Sequence, residues 1–200
     1  MKRVFLALTF GLMACGALAD SPNDVVQGAA DELAAGLDGR KDELAANRDA
    51  LYALIDRILL PRFDRRYAAQ LVLGRHWRDA SEQDRNDFID AFYGSLVRKY
   101  GDGILNYDQD RMEILPFRGD ENEKRTTVKT MVRLDDGTKV PVNYALVKRN
   151  DGWKMFDVTI EGISYVRNFR TELNSEIQAN GLRSVIDRLN GEQHTAAVEK

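Results

Sequence analysis

The chain has 200 residues, 44% of them apolar, and sets 29 Lys and Arg against 32 Asp and Glu for a formal net charge of −3. That acidic balance excludes nucleic-acid binding through bulk charge, and the length suffices for one domain with its own core. Cys15 is the single cysteine, which excludes a fold braced by an internal disulfide.

Lys2 and Arg3 precede an apolar run, Val4 to Ala14, and then Ala17-Leu18-Ala19 ahead of Asp20. This is the pattern of a secretory signal, residues 1–19, with a small-residue cleavage site. The run is too short to span a bilayer as a mature helix. Cleavage after Ala19 predicts a soluble protein outside the cytoplasm, in the periplasm of a cell with two membranes, carrying 27 basic against 32 acidic residues, a formal −5. A second parse stays open: Leu12-Met13-Ala14-Cys15 approximates a site of lipid attachment to cysteine, with Met a poor fit at its second position.

Beyond a Pro/Asn turn at Ser21 to Asn23, the spacing of Val25, Val26, Ala29, Ala30, Leu33 and Leu37 predicts a helix ending at Gly36 to Gly39. A second helix is predicted from Asn47 to Leu60, stopped by Pro61, and a short third holds Tyr67, Ala68, Leu71 and Val72 before Gly74. Ser81 with Asp84 approximates a capping box. It opens a long helix on which Phe88, Phe92, Leu96 and Tyr100 recur every four residues, with a bend or stop predicted near Gly101.

After Tyr107 the period changes to two. Met112 and Ile114, then Val128 to Leu134, then Val140 to Leu146, then Trp153 to Ile160 read as strands, joined by hairpin signals at Asp135-Asp136-Gly137 and Asn150-Asp151-Gly152. From Ser164 the helical period returns through Val166, Phe169, Leu173 and Ile177. Gly181 separates this helix from a short last one, Leu182 to Leu189, and the polar stretch 191–200 reads as a flexible tail. The predicted architecture is α+β: one domain over 20–190, with a twisted antiparallel sheet of about four strands (109–161) packed on helical parts (22–107 and 164–190).

Chemistry is sparse. His76 and His194 stand outside any cluster with metal-ligand spacing, which predicts no metal or other cofactor. No Gly-x-Ser-x-Gly elbow or phosphate-cradling glycine loop occurs. His76, beside Trp77, reads as a partly packed loop histidine. Asp157 is the most enzyme-like carboxylate: facing a pocket it would act as a base, and on the opposite face it would pair with a basic neighbour.

Large apolar side chains are plentiful. In the simplest arrangement Phe63, Tyr67, Leu71, Phe88, Phe92, Leu96 and Tyr100 face Val128, Val132, Val142, Tyr144, Phe156 and Val158, with Ile163 and Val166 beyond the sheet. Such a stripe is either solid core or the wall of a cavity. Arg62, Arg65, Arg66, Arg75 and Arg78 crowd the same stretch of chain; they form a solvated face or, beside a pocket mouth, attract a phosphate.

Leu59-Leu60-Pro61-Arg62-Phe63, then Tyr67-Ala68-Ala69-Gln70-Leu71-Val72-Leu73-Gly74, Trp77 and the long helix to Lys99-Tyr100-Gly101 resemble the MlaC, or toluene-tolerance, family. Gly152-Trp153-Lys154-Met155-Phe156-Asp157-Val158 with Glu161-Gly162-Ile163-Ser164 extends the likeness, in the same order, over nearly the whole mature chain. The resemblance implies a non-enzymatic periplasmic phospholipid carrier that maintains outer-membrane lipid asymmetry, with the acyl chains in the cleft between sheet and helices. It further implies exchange with an outer-membrane lipoprotein–porin complex bearing MlaA and with an inner-membrane ABC transporter complex bearing the MCE-domain protein MlaD. The residues by themselves also accommodate a small-molecule enzyme on an NTF2-like cone-shaped sheet, with Asp157 or a tyrosine as base, and a ligand-free envelope adaptor.

Overall fold

The computed structural model describes residues 20–120 and 122–198, so the leader Met1 to Ala19, including Cys15, lies outside the described residues. Helix α1 (Pro22–Leu37) starts on a reciprocal capping box: the Asp24 amide donates to Ser21 Oγ and the Ser21 amide to the Asp24 carboxylate. Pro22 fills the first turn, where a missing N–H costs nothing. A six-residue helix α2 (Lys41–Ala46), unforeseen in the sequence, buries only Leu44. It is too short for periodicity to reveal.

Asn47 is not the first residue of α3 (Arg48–Leu59) but its cap, accepting from the Ala50 amide at 3.1 Å. Helices α4 (Arg65–Leu73), α5 (His76–Asp79) and α6 (Glu82–Ile104) follow. The long helix passes through Gly101 where a bend or stop is predicted. Gly101 is buried, and a Cβ there would lie 3.2 Å from both Ile55 Cδ1 and Tyr52 Cε1. The glycine therefore lets α6 approach α3 closely and does not end the helix.

A five-stranded antiparallel meander comes next: β1 (Met112–Ile114), β2 (Arg125–Arg133), β3 (Lys139–Arg149), β4 (Gly152–Ile160) and the two-residue β5 (Ile163–Ser164). The predicted hairpins are present, with Gly137 at φ 84° and Gly152 at φ 112°, backbone conformations that favour glycine. Helices α7 (Tyr165–Asn180) and α8 (Leu182–Val198) complete the chain, and α8 continues well past the predicted end at Leu189.

The core divides into three clusters. Val25 and Val26 of α1 pack on Val128, Leu146, Trp153 and Met155, so α1 covers much of the inner face of the sheet. Leu37, Leu44, Leu51, Ile55 and Ile58 tie α1 to α2 and α3. Phe88, Phe169, Leu173 and Ile186 belong to a cluster built from α4 to α8. These clusters do not merge completely, and the space where they meet is the site described next.

One irregularity aims the β4 side chains. Ala145 pairs with Asp157 but Leu146 pairs with Met155, leaving Phe156 as the extra residue of a β-bulge. Met155 joins the core beneath α1, while Phe156, Val158 and Ile160 turn towards the cavity. The segment after α3 secures this point. Met155 N donates to Arg62 O at 2.7 Å and Asp64 N to Met155 O at 2.8 Å, forming a parallel bridge between Phe63 and Met155 at the edge of β4.

Candidate functional site

An apolar cavity of about 310 Å³ lies between α3 and α6 on one side and β4 and α7 on the other. Eighteen residues line it, and Asp157 is the only one with a charged side chain. Of the wall residues predicted from sequence, Phe63, Phe92, Leu96, Tyr100, Phe156, Val158 and Val166 are brought together there. Tyr100, 40% exposed, stands at the rim and meets Tyr165 edge-on at 5.5 Å between ring centroids.

The other predicted wall residues lie elsewhere. Phe88 is fully buried in the helical core, stacked on Phe92. Val128 and Tyr144 pack in the cluster beneath α1, because that helix and not α6 covers β2 and β3. Val142 lies between Thr130 and Ile160, Val132 between Met112 and Val140, and neither reaches the cavity. Leu71 is half-buried outside it. Ile163 is 63% exposed, held outside by the two-residue strand β5. Tyr67 stands one layer behind the wall, edge-on to Phe156 at 5.0 Å.

Helical geometry explains why the four-residue repeat splits. Each step of four residues turns about 400°, so the direction drifts by about 40° per step and about 120° from Phe88 to Tyr100. Phe88 therefore points to the core while Tyr100 reaches the rim. The continuous wall on α6 is the stripe Tyr93, Val97, Tyr100 and Ile104, of which sequence reasoning took only Tyr100. Ile55, Leu59, Ala68, Gly101, Ile160, Tyr165 and Phe169 were likewise missed as lining. Ile55, Leu59 and Phe169 carried the right signal, an apolar helical stripe, but stripe membership does not distinguish cavity from core.

Asp157 lines the cavity and does not sit on the opposite face of the sheet. Its two carboxylate oxygens accept from the Ser164 hydroxyl at 2.5 Å and from the Val166 amide at 2.9 Å, so it anchors the start of α7. Asp157→Ala is expected to cost about 1–2 kcal/mol of stability through the lost helix start. Thermal unfolding should show that loss, with ligand occupancy of the folded protein unchanged. The cavity tyrosine with a defined partner is Tyr93, whose hydroxyl donates to Asp56 Oδ1 at 2.8 Å. Burial first, and then that bond, raise its pKa, so the hydroxyl stays protonated as the donor to Asp56. His76 begins the short helix α5 and does not sit on a loop, and its Nε2 donates to Asn174 Oδ1 at 3.0 Å.

The arginines are mostly engaged on the surface. Arg62 pairs with Glu32 at 2.6 Å, Arg65 with Asp90 at 3.1 Å and Arg66 with Glu82 at 3.1 Å, while Arg75 and Arg78 are exposed. Among the described residues, no helix is long and apolar enough to cross a membrane.

Comparison with known proteins places this geometry in context. Residues 27–191 match the family model described as MlaC protein. The toluene tolerance protein Ttg2D of Pseudomonas putida is 30% identical over 195 residues, covering 96% of this chain and 90% of its own length. The intermembrane phospholipid transport system binding protein MlaC of Haemophilus influenzae is 24% identical, covering 94% and 92%. A phospholipid-binding protein from Ralstonia solanacearum, solved with a phospholipid, superposes with a TM-score of 0.77 at 24% identity over 86% of this chain and 97% of that one. The match to the family model spans most of the chain, and the protein belongs to the MlaC family.

Proposed function

We propose that this protein is a phospholipid carrier of the cell envelope, holding acyl chains in the cavity between α3/α6 and β4/α7 and moving them between membrane complexes. The observation that carries this reading is an apolar cavity whose one charged lining residue has both carboxylate oxygens engaged elsewhere. Support also comes from the relatives: one is named for intermembrane phospholipid transport and another was solved with a phospholipid bound. The leader at residues 1–19 fits export to the periplasm, with cleavage after Ala19.

The energetics define what such a carrier does. Two acyl chains of about thirty methylenes are worth about 24 kcal/mol against water, at about 0.8 kcal/mol per methylene. Escape into water is negligible, so release occurs only where a docked partner offers a second apolar path. An MlaD-like protein of an inner-membrane ABC transporter and an MlaA-like outer-membrane lipoprotein with its porin are the proposed partners. Packing of tails against apolar walls discriminates weakly between chains differing by a methylene, so a mixture of cargoes is expected.

Mass spectrometry of organic extracts from gently purified protein tests this. Near-stoichiometric diacyl phospholipid is expected. A chain that purifies clean, and takes up no lipid from vesicles, would instead be a ligand-free adaptor.

A further inference from the structure

We propose that the groove beside the cavity binds a phosphate, and that its source is the headgroup of the lipid whose tails enter the cavity. This deepens the carrier reading and rests on it. The groove encloses about 920 Å³ and presents Arg65, Arg66, Lys148, Arg149 and Lys154 against three carboxylates. It adjoins the cavity at three points. Phe63 lines both spaces. The Arg65 guanidinium sits 5.2 Å from the ring centre of the cavity residue Tyr93. Arg149 lies 5.0 Å from the Tyr67 ring, which in turn touches Phe156 of the cavity wall. An amphipathic ligand passing Phe63 would thus have its tails among apolar side chains and its anionic end among cations.

The cations differ in how firmly they are held. Arg149 is bound to Asp64 at 2.6 Å, and Asp64 is only 15% exposed and also caps α4 through the Tyr67 amide, so this guanidinium is fixed in place. Arg65 and Lys154 pair instead with Asp90 and Asp151, whose side chains are 74% and 71% exposed; Lys154 also donates to Pro61 O at 2.6 Å, which holds its ammonium at the groove when Asp151 leaves. Such solvent-exposed pairs contribute little. A phosphate, with more charge and more acceptor oxygens than one carboxylate, displaces these two aspartates readily.

The test compares wild type with the double variant Arg65→Gln/Lys154→Gln and with Lys99→Gln, a cation near Tyr100 at a different part of the rim. Three probes are used on lipid-stripped protein: phosphatidylglycerol, diacylglycerol with the same chains, and inorganic phosphate followed by calorimetry. The double variant is expected to bind phosphatidylglycerol about tenfold more weakly, with diacylglycerol unchanged and Lys99→Gln like wild type. If the double variant loses inorganic phosphate binding but holds phosphatidylglycerol as wild type does, the headgroup assignment is overturned in favour of free phosphate. Unaltered binding of both anions in the double variant, or loss of phosphatidylglycerol in Lys99→Gln alone, overturns the groove as the site. Wild type that takes up neither lipid refutes the carrier reading instead, and the phosphate titration still decides the groove.

Discussion

Leu96→Glu is expected to purify largely stripped of phospholipid yet folded, while Val132→Glu keeps its lipid. The alternating and helical patterns give these two positions equal standing as cavity walls, and the structure separates them. Leu96 lines the cavity from α6. Leu96 also borders a second pocket lined by Arg98, Lys99 and Arg188, so a carboxylate there either draws water into the cavity or turns out towards those cations and removes apolar wall, and either outcome penalises apolar tails. Each methylene pushed from contact with the wall forfeits about 0.8 kcal/mol, so displacing even two or three lowers affinity by more than tenfold. The fold survives because the new group projects into space that cargo would fill. Val132 is half-buried on β2 and flanked by Met112 and Val140, away from that space. Lipid counted per chain in organic extracts, alongside far-ultraviolet circular dichroism, checks both variants. A wild-type lipid content in Leu96→Glu would mean that tails do not occupy this cavity.

The contrast shows what was legible in the sequence. Local chemistry was: the cap at Ser81, the glycine turns at Gly137 and Gly152, and the change of period after Tyr107 all correspond to observed boundaries, whereas Ser21 to Asn23, which reads as a turn, is the cap and first turn of α1. The family resemblance was equally legible, since blocks around Phe63 and Trp153 keep their order, and the bridge between Phe63 and Met155 joins them in space. Depth was not. Alternation assigns Val128 and Val132 to the same face of β2, but which helix covers that face is a tertiary fact, and α1 covers Val128. The bulge at Phe156 was also hidden, because one extra residue changes the register without changing composition.

Phe88→Ala supplies the complementary experiment, separating core from cavity on a single helix. Phe88 is fully buried and stacks on Phe92 with ring centroids 5.5 Å apart and planes 4° from parallel. Its removal should cost about 3–5 kcal/mol, the lost transfer energy plus the void left behind. At about 2–4 °C per kcal/mol for a domain of this size, the melting temperature should fall by roughly 10 °C. Phe92 belongs to both the core and the cavity wall, and its edge-on contact with Phe169 at 5.3 Å remains to hold it against the cavity. Lipid per folded chain should therefore stay near the wild-type value while stability drops. The opposite pattern, unaltered melting with lost lipid, would place Phe88 in the path of the tails and would mean that the space between α6 and β4 extends into what the packing shows as solid core.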